Sequence, residues 1–512
     1  MNLPQFSANQ IKLLLVIGLF FASMYGWLAL HQNYSLPFHS EEWDHLLLAK
    51  QLPETRIPIG VNWEIGFQIL IQELQSFTGL SYESIGFFMP VFVMFLASLG
   101  TFVLVRFLTK KILPALFSAI LVLGLKSSIT LLGFWFFVPM ALAIAIMPLM
   151  IYFLIKAFNS IKFAAIFALL FIQATIFHPA FTIILIPAMI LYSILNPQVF
   201  IKNQVKVAIG IILMLILLPF FAFQLGFVSG QLDLSFEGIK TISSGIINRL
   251  SWEKILEFEA KFSLQEFLGT IPFILAMLGF ASIIVLKILS IFKPKHFFVE
   301  SFFKNKHLFF ISSIIFVLMA LYSQFHLTNH IFFAPYERQF MALSFLLLLS
   351  AGIGLYYIIE LFKNVLSNSA FFSENFFRLS VLGIIAVFFI SLLSISTLEP
   401  KNSLYENVSE SDLLTVQWVK EFNSEKNYVI ALPWQSRIIK FFTEKKVYAT
   451  SNARASEGVK ENLLNFFLLS CEQKIVFNEK EKADLLVSKT EQSCDEWNKI
   501  YDKKDLSGYS FK

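Results

Sequence analysis

The chain has 512 residues, 56% of them hydrophobic and only 15% charged. A soluble protein of that length needs far more charged surface, so the composition excludes an ordinary globular domain and implies a polytopic membrane protein. A net charge of +5, with no basic tract interleaved with aromatics, speaks against a nucleic-acid partner.

The first long apolar segment, residues 11–30, reads IKLLLVIGLFFASMYGWLAL and is long enough to cross a bilayer as a helix. It lacks a small-residue cleavage site, so it is expected to be a retained span. Just beyond it stands His39-Ser40-Glu41-Glu42-Trp43-Asp44-His45. On a helix continuing into LLLAKQL, Glu41, Asp44 and His45 fall on one face at i, i+3 and i+4. Such a cluster at the membrane surface brings acid/base groups within reach of a lipid-borne substrate, or else is a solvated juxtamembrane turn. The following GVNWEIGFQILIQELQSFTGL predicts a helix suited to lying in the interface. Its apolar face is Ile65, Ile69, Leu70 and Leu74, with Phe67 and Ile71 alongside. Glu64, at its head, either faces the same cavity as Glu41 or is simply exposed.

Further apolar segments recur at 85–105, 112–125, 136–155, 162–177, 180–195, 207–226, 267–287, 307–325, 340–361 and 379–397, giving about eleven spans in all. His178-Pro179 splits the pair at 162–195, where the imidazole either binds substrate or satisfies a carbonyl at the turn. Arg106, Lys110, Lys111, Lys156, Lys162, Lys202, Lys206, Lys287, Lys293, Lys295, Lys304, Lys306, Lys363 and Arg378 fall on alternate loops. The positive-inside rule then puts the amino terminus in the cytoplasm and, with an odd number of spans, the carboxy terminus outside. Three external segments are large: 31–84, 227–266 with an amphipathic WEKILEFEAKF, and the tail 398–512.

Before the tail, Arg338 lies at the outer end of a span. There its planar fork suits a phosphate, or it is a snorkelling anchor paired with Glu337. His326 and His330, at i and i+4, leave a divalent metal open without defining a site. The tail alternates. Ser411 caps a helix through SDLLTVQWVKEFN, NYVIALPW is a strand, QSRIIKFFTEKK a helix and VYAT a strand. A helix at 456–469 and a strand at ADLLVS complete a small α/β pattern with no Gly-rich phosphate loop. Cys471 and Cys494, the only cysteines, either pair in an oxidising exterior or remain two thiols.

Several of these features resemble one family. They are Glu41-Glu42-Trp43-Asp44-His45 with Ala49 one turn on, PYERQFMALSFLLLL at 335–349 before a late span, and a tail opening with a helix and then a strand that ends in Trp434. The layout is similar to the GT-C superfamily of polyprenyl-phosphate-dependent glycosyltransferases, which includes oligosaccharyltransferase catalytic subunits, protein O-mannosyltransferases and the aminoarabinose transferases of lipid A. In that resemblance Glu41 stands where the family has its functional Asp, and Trp43 where oligosaccharyltransferases have a Trp. The chain also departs from the pattern. Glu replaces Asp, which moves the carboxylate by about one bond length. The WWDYG signature is absent, with PWQS at 433–436 in a comparable place. The second external loop, KSSITLLGFWFF, has no carboxylate where oligosaccharyltransferases use one for metal.

The resemblance implies a base for an acceptor hydroxyl drawn from Glu41, Glu42 and Asp44, with Glu41 favoured. Beside it, the residues themselves suggest substrate contacts from Trp43, His45, Glu64 and His178, and a phosphate contact from Arg338. The expected fold class is an α-helical polytopic membrane protein at 1–397, with the acidic motif in its external loop 31–84, and an external α/β domain at 398–512. The expected activity is transfer of a sugar from a polyprenyl-phosphate-linked donor to a lipid, glycan or protein acceptor at the outer face of the plasma membrane, with no certain cofactor. The rivals are a lipid or glycan transporter or flippase, and a non-catalytic relative. Nearly charge-free spans with carboxylates gathered at one surface favour surface chemistry over passage.

Overall fold

The computed structural model describes residues 8–30, 39–52, 64–125, 133–157, 160–178, 251–252, 263–292, 307–328, 331–332, 336–366, 410–422, 428–443, 445–448, 466–481, 483–488, 494, 497–503 and 506–511. Among them the helices are α1 (Ala8–Leu30), α2 (Ser40–Gln51), α3 (Ile65–Thr78), α4 (Tyr82–Thr109), α5 (Ile112–Leu123), α6 (Pro139–Ala157), α7 (Ile161–Phe177), α8 (Leu264–Leu268), α9 (Thr270–Phe292), α10 (His307–Thr328), α11 (Tyr336–Leu366), α12 (Glu410–Glu421), α13 (Pro433–Thr443) and α14 (Cys471–Glu481). The strands are β1 (Ser251–Trp252), β2 (Ile331–Phe332), β3 (Tyr428–Ile430), β4 (Lys446–Val447), β5 (Leu485–Ser488), β6 (Trp497–Lys503) and β7 (Leu506–Phe511). The chain divides into two compact units. One is Met1–Tyr34, Ile57–Phe67 and Phe88–Glu399; the other is Ser35–Arg56, Gln68–Phe87 and Pro400–Lys512.

The first unit is mostly helical. Among the described residues three helical segments, Tyr82–Thr109, Pro139–Ala157 and Arg338–Tyr356, are long and apolar enough to cross a membrane. The helices turn apolar side chains outward: Phe21, Phe88, Leu169, Ile271 and Phe316 are each half exposed or more. Lipid tolerates such a surface, whereas water penalises it. With no hydrophobic drive between helices in lipid, close packing of small residues must hold them together. That is seen where α5, α9 and α11 meet. A Cβ added at Gly279 would lie 2.0 Å from the Ser350 carbonyl oxygen, and one at Gly354 would lie 2.3 Å from that of Leu275. Backbones this close bring hydroxyls onto neighbouring carbonyls: Ser118 Oγ donates to Leu349 O at 2.7 Å and Ser350 Oγ to Ala276 O at 3.1 Å.

The expected spans at 11–30, 85–105, 112–125, 136–155, 162–177, 267–287, 307–325 and 340–361 fall on described helices. Those at 180–195, 207–226 and 379–397 lie outside the described residues, as do 253–262 of WEKILEFEAKF and 456–465 of the tail helix. On α3 the fully buried side chains are Phe67, Gln68 and Ile71, while Ile69 is exposed and Phe77 almost wholly so. The buried stripe is therefore rotated from the expected Ile65–Leu74 face and takes in a glutamine, for a reason that appears below.

The second unit holds a five-stranded mixed sheet in the order β4-β3-β5-β7-β6. Strand β3 runs parallel to β4 and β5, pairing Tyr428 with Lys446 and Val429 with Leu485. Strand β7 is antiparallel to both β5 and β6. All four residues of β5 are buried, as a central strand covered on two faces requires. Ile430, Phe466, Ala483, Leu486 and Cys494 form a core against which Tyr448 and Phe477 pack. Cys494 is joined to Cys471 at the head of α14, with Cα atoms 5.5 Å apart. Asp412 of α12 accepts a buried 2.8 Å hydrogen bond from Gln435 of α13, and Lys445 Nζ donates to Phe422 O at 2.7 Å.

Candidate functional site

Helix α2 carries the acidic motif, and its start is fixed by a reciprocal cap. His39 has extended backbone angles and its Nδ1 accepts from the Glu41 N–H at 3.2 Å, while Glu42 Oε2 accepts from the His39 N–H at 3.0 Å. The cap satisfies backbone donors that the first turn would otherwise leave open and sets carboxylates at the positive end of the helix. Glu42 is only 2% exposed as a result, whereas Glu41 is exposed. The two adjacent glutamates thus occupy opposite environments.

The next turn is gripped by α13. Trp43 is fully buried, with its ring 5.1 Å from those of both Phe441 and Phe442. Asp44 Oδ1 lies 3.9 Å from Arg437 Nε, an ion-pair distance between side chains 15% and 6% exposed. Lys50 Nζ donates to Phe441 O at 3.4 Å. His45 is buried, and its Nδ1 lies 2.8 Å from Gln68 Nε2. With the amide as donor, Nδ1 is the acceptor and the imidazole proton sits on Nε2. That contact is why α3 buries a glutamine. Glu41, Asp44 and His45 keep their helical spacing, but only Glu41 is left facing solvent.

Glu64 and His178 are brought together in the first unit. His178 Nε2 lies 3.5 Å from Glu64 Oε1, with side chains 9% and 27% exposed. The imidazole sits at the carboxy end of α7, its backbone N–H donating to Ala174 O at 2.8 Å. Its extended backbone is what a following proline demands, and the negative end of the helix favours a cation there. Gly66 permits this approach: a Cβ there would lie 2.7 Å from the Ile176 side chain and 2.9 Å from its carbonyl oxygen. Phe67 packs on Phe137 alongside, ring centroids 4.7 Å apart.

Arg338, half-buried in the first turn of α11, has Nη1 2.8 Å from Met140 Sδ. Among the described residues no three His, Cys, Asp or Glu side chains gather as a metal site. His330 and residues 126–132 of the second external loop lie outside them. Arg437 and Gln68 were not foreseen from the sequence. The available signal for Arg437 was a charged residue four positions before Phe441, on the side of α13 that its apolar residues mark as buried.

No known family model matches the sequence, nor does any curated protein sequence. Solved structures do. The apo oligosaccharyltransferase of Archaeoglobus fulgidus matches with a TM-score of 0.63 at 12% identity, over 93% of this chain and 69% of that one. AglB of the same organism, solved with an inhibitory peptide and a dolichol-phosphate, gives 0.59 at 11% identity, over 94% and 70%. ArnT from Cupriavidus metallidurans in the apo state gives 0.58 at 9% identity, over 98% of both chains. The chain shares the fold of these solved structures.

Proposed function

We propose that this chain is an integral membrane glycosyltransferase. It takes a sugar from a polyprenyl-phosphate-linked donor and passes it to a lipid, glycan or protein acceptor at the outer face of the plasma membrane. The observation that carries the reading is a GT-C fold extending over 93% to 98% of the chain. The dolichol-phosphate and peptide bound by AglB support the classes of donor and acceptor. The Cys471–Cys494 bond supports an extracytoplasmic tail, because such bonds persist in oxidising compartments.

In the proposed step, Glu41 accepts the proton of the acceptor hydroxyl as that oxygen bonds to the anomeric carbon. The bond from that carbon to the phosphate oxygen breaks with inversion, and the electron pair leaves on the phosphate. Arg338, a guanidinium at the amino end of α11, is the proposed phosphate contact, since the fork and the helix end both favour an anion. Glu64, oriented by His178, contacts the donor. Trp43, His45, Glu42 and Asp44 shape the surroundings of Glu41. The test uses the full chain in lipid nanodiscs with a panel of tagged polyprenyl-phosphate sugars and envelope extract as acceptor. Wild type is expected to consume one donor of the panel, and Glu41→Gln to consume none. A Glu41→Gln protein that turns over the donor at the wild-type rate defeats the assignment.

A further inference from the structure

Arg437 has no role in the chemistry proposed above, yet its setting is demanding. Its side chain is 6% exposed, and among the described residues neither Nε nor Nη1 has a hydrogen-bond partner. A guanidinium withdrawn from water in this way needs an anion close by. The anion is Asp44, on the next turn of α2 after Glu41.

Packing alone does not account for the pair. Trp43 already fills the contact between α2 and α13, fully buried against Phe441 and Phe442, and Ile438 and Ile439 supply further apolar bulk on α13. An aliphatic side chain at 437 would bury as well without the desolvation cost. A buried ion pair adds little to stability over an apolar pair, but it can impose one register on the elements that carry it. Sliding or rotating α2 against α13 would strand both charges.

We infer that Arg437 is a positioning residue, which holds Asp44 across the α2–α13 contact and so fixes α2 in the rotation that leaves Glu41 exposed. The meaning given to Glu41 rests on the proposed glycosyl transfer; the positioning itself does not. Asp44 is then the anchor of the motif and not its base.

The experiment reads hydrogen exchange of residues 40–51 in nanodiscs without substrate, and separately the transfer kinetics. Arg437→Met keeps bulk and removes charge, Arg437→Lys keeps charge, and Asp44→Asn with Arg437→Met makes the pair neutral. Arg437→Met is expected to speed α2 exchange by about tenfold or more and to lower kcat by a similar factor with donor KM within about twofold, the mark of a misplaced group and not a lost binding contact. Arg437→Lys retains most of both properties, and the neutral pair regains slow exchange. If Arg437→Met does not fold, Asp44→Asn alone, which strands the guanidinium, is expected to speed α2 exchange likewise. Unchanged α2 exchange in the folded variant, or Arg437→Lys as impaired as Arg437→Met, overturns the inference. A wild-type protein that transfers no sugar defeats the proposed reaction instead, because the exchange is read without it.

Discussion

Glu42 offers the sharpest separation between a carboxylate that shapes the motif and one proposed to react. It is 2% exposed, and its Oε2 takes the His39 N–H at 3.0 Å. Glu42→Gln keeps an oxygen of the same reach, so the cap survives at a cost below about 1 kcal/mol. Glu42→Ala strands the His39 N–H in a buried place and costs about 1–3 kcal/mol of stability. Glu41→Gln leaves the cap alone, because the Glu41 contribution to it is a backbone N–H. What it removes is the proposed base, worth about 10²–10⁴ in rate, or roughly 3–5 kcal/mol of barrier. Initial rates of sugar transfer should then rank wild type and Glu42→Gln together, Glu42→Ala lower in proportion to its unfolded fraction, and Glu41→Gln far below. If Glu42→Gln is as inactive as Glu41→Gln while melting normally, the buried charge itself is used and the division of roles between the two glutamates is wrong.

Other expectations follow from single contacts. Gly279→Ala drives a methyl to 2.0 Å from the Ser350 carbonyl, a backbone atom that cannot step aside, and should cost about 1–3 kcal/mol or more. Gly18→Ala, with nothing within 4 Å, should elute and melt as wild type in size-exclusion and thermal assays. Replacing Cys471 and Cys494 by serine reopens a loop of sequence separation 23 and should lower the stability of the tail by about 3 kcal/mol, read as faster proteolysis of residues 400–512. The Tyr428 hydroxyl is pushed up to about 12 from 10.0 by burial, then by Glu481 and Tyr448. The fold favours its un-ionised form, so that contribution is whole below pH 10.0 and is lost as pH climbs to about 12; Tyr428→Phe should carry unfolding, followed by near-UV circular dichroism, to higher pH. Glu64→Ala and His178→Ala should raise donor KM non-additively if, as proposed, the more buried imidazole acts through the carboxylate beside it; strict additivity refutes that coupling.

Much of the helical architecture was legible because it is written locally. Long apolar runs gave α1, α4, α6 and α11, and the order helix, strand, helix, strand in the tail followed from SDLLTVQWVKEFN, NYVI and the amphipathic QSRIIKFF; the expected cap and strand end did not hold, because α12 begins at Glu410, ahead of Ser411, and Pro433-Trp434 open α13 instead of closing β3. The hairpin of β6 and β7 was missed for a physical reason. Its buried positions include Ser507 and Gly508, too small to signal a core strand, and β6 carries Lys499, Asp502 and Lys503. Helix α14 was missed because CEQKIVFNEKE offers few apolar residues; one of its buried side chains is Lys474, whose ammonium lies 6.0 Å from the Phe466 ring centroid. At the site, spacing identified the acidic helix but not the partner of each acid, because Arg437 and Gln68 are reached only through tertiary contact.

Three carboxylates within four residues would ordinarily repel and compete for the same protons. The fold distinguishes them by neighbour instead of by type. Glu42 is turned back onto the His39 N–H, where the helix end favours its charge, and Asp44 is matched by a guanidinium withdrawn from water. Both arrangements act on the orientation of α2, one at its first turn and one at its second. The exposed Glu41 thus sits on a helix whose start and rotation are each set by one of its own acidic neighbours. A substitution that preserves every charge in the motif but moves one by a single position, such as exchanging Trp43 and Asp44, would break both the aromatic seat and the ion pair at once. Composition would be unchanged, and it is the geometry that would be lost.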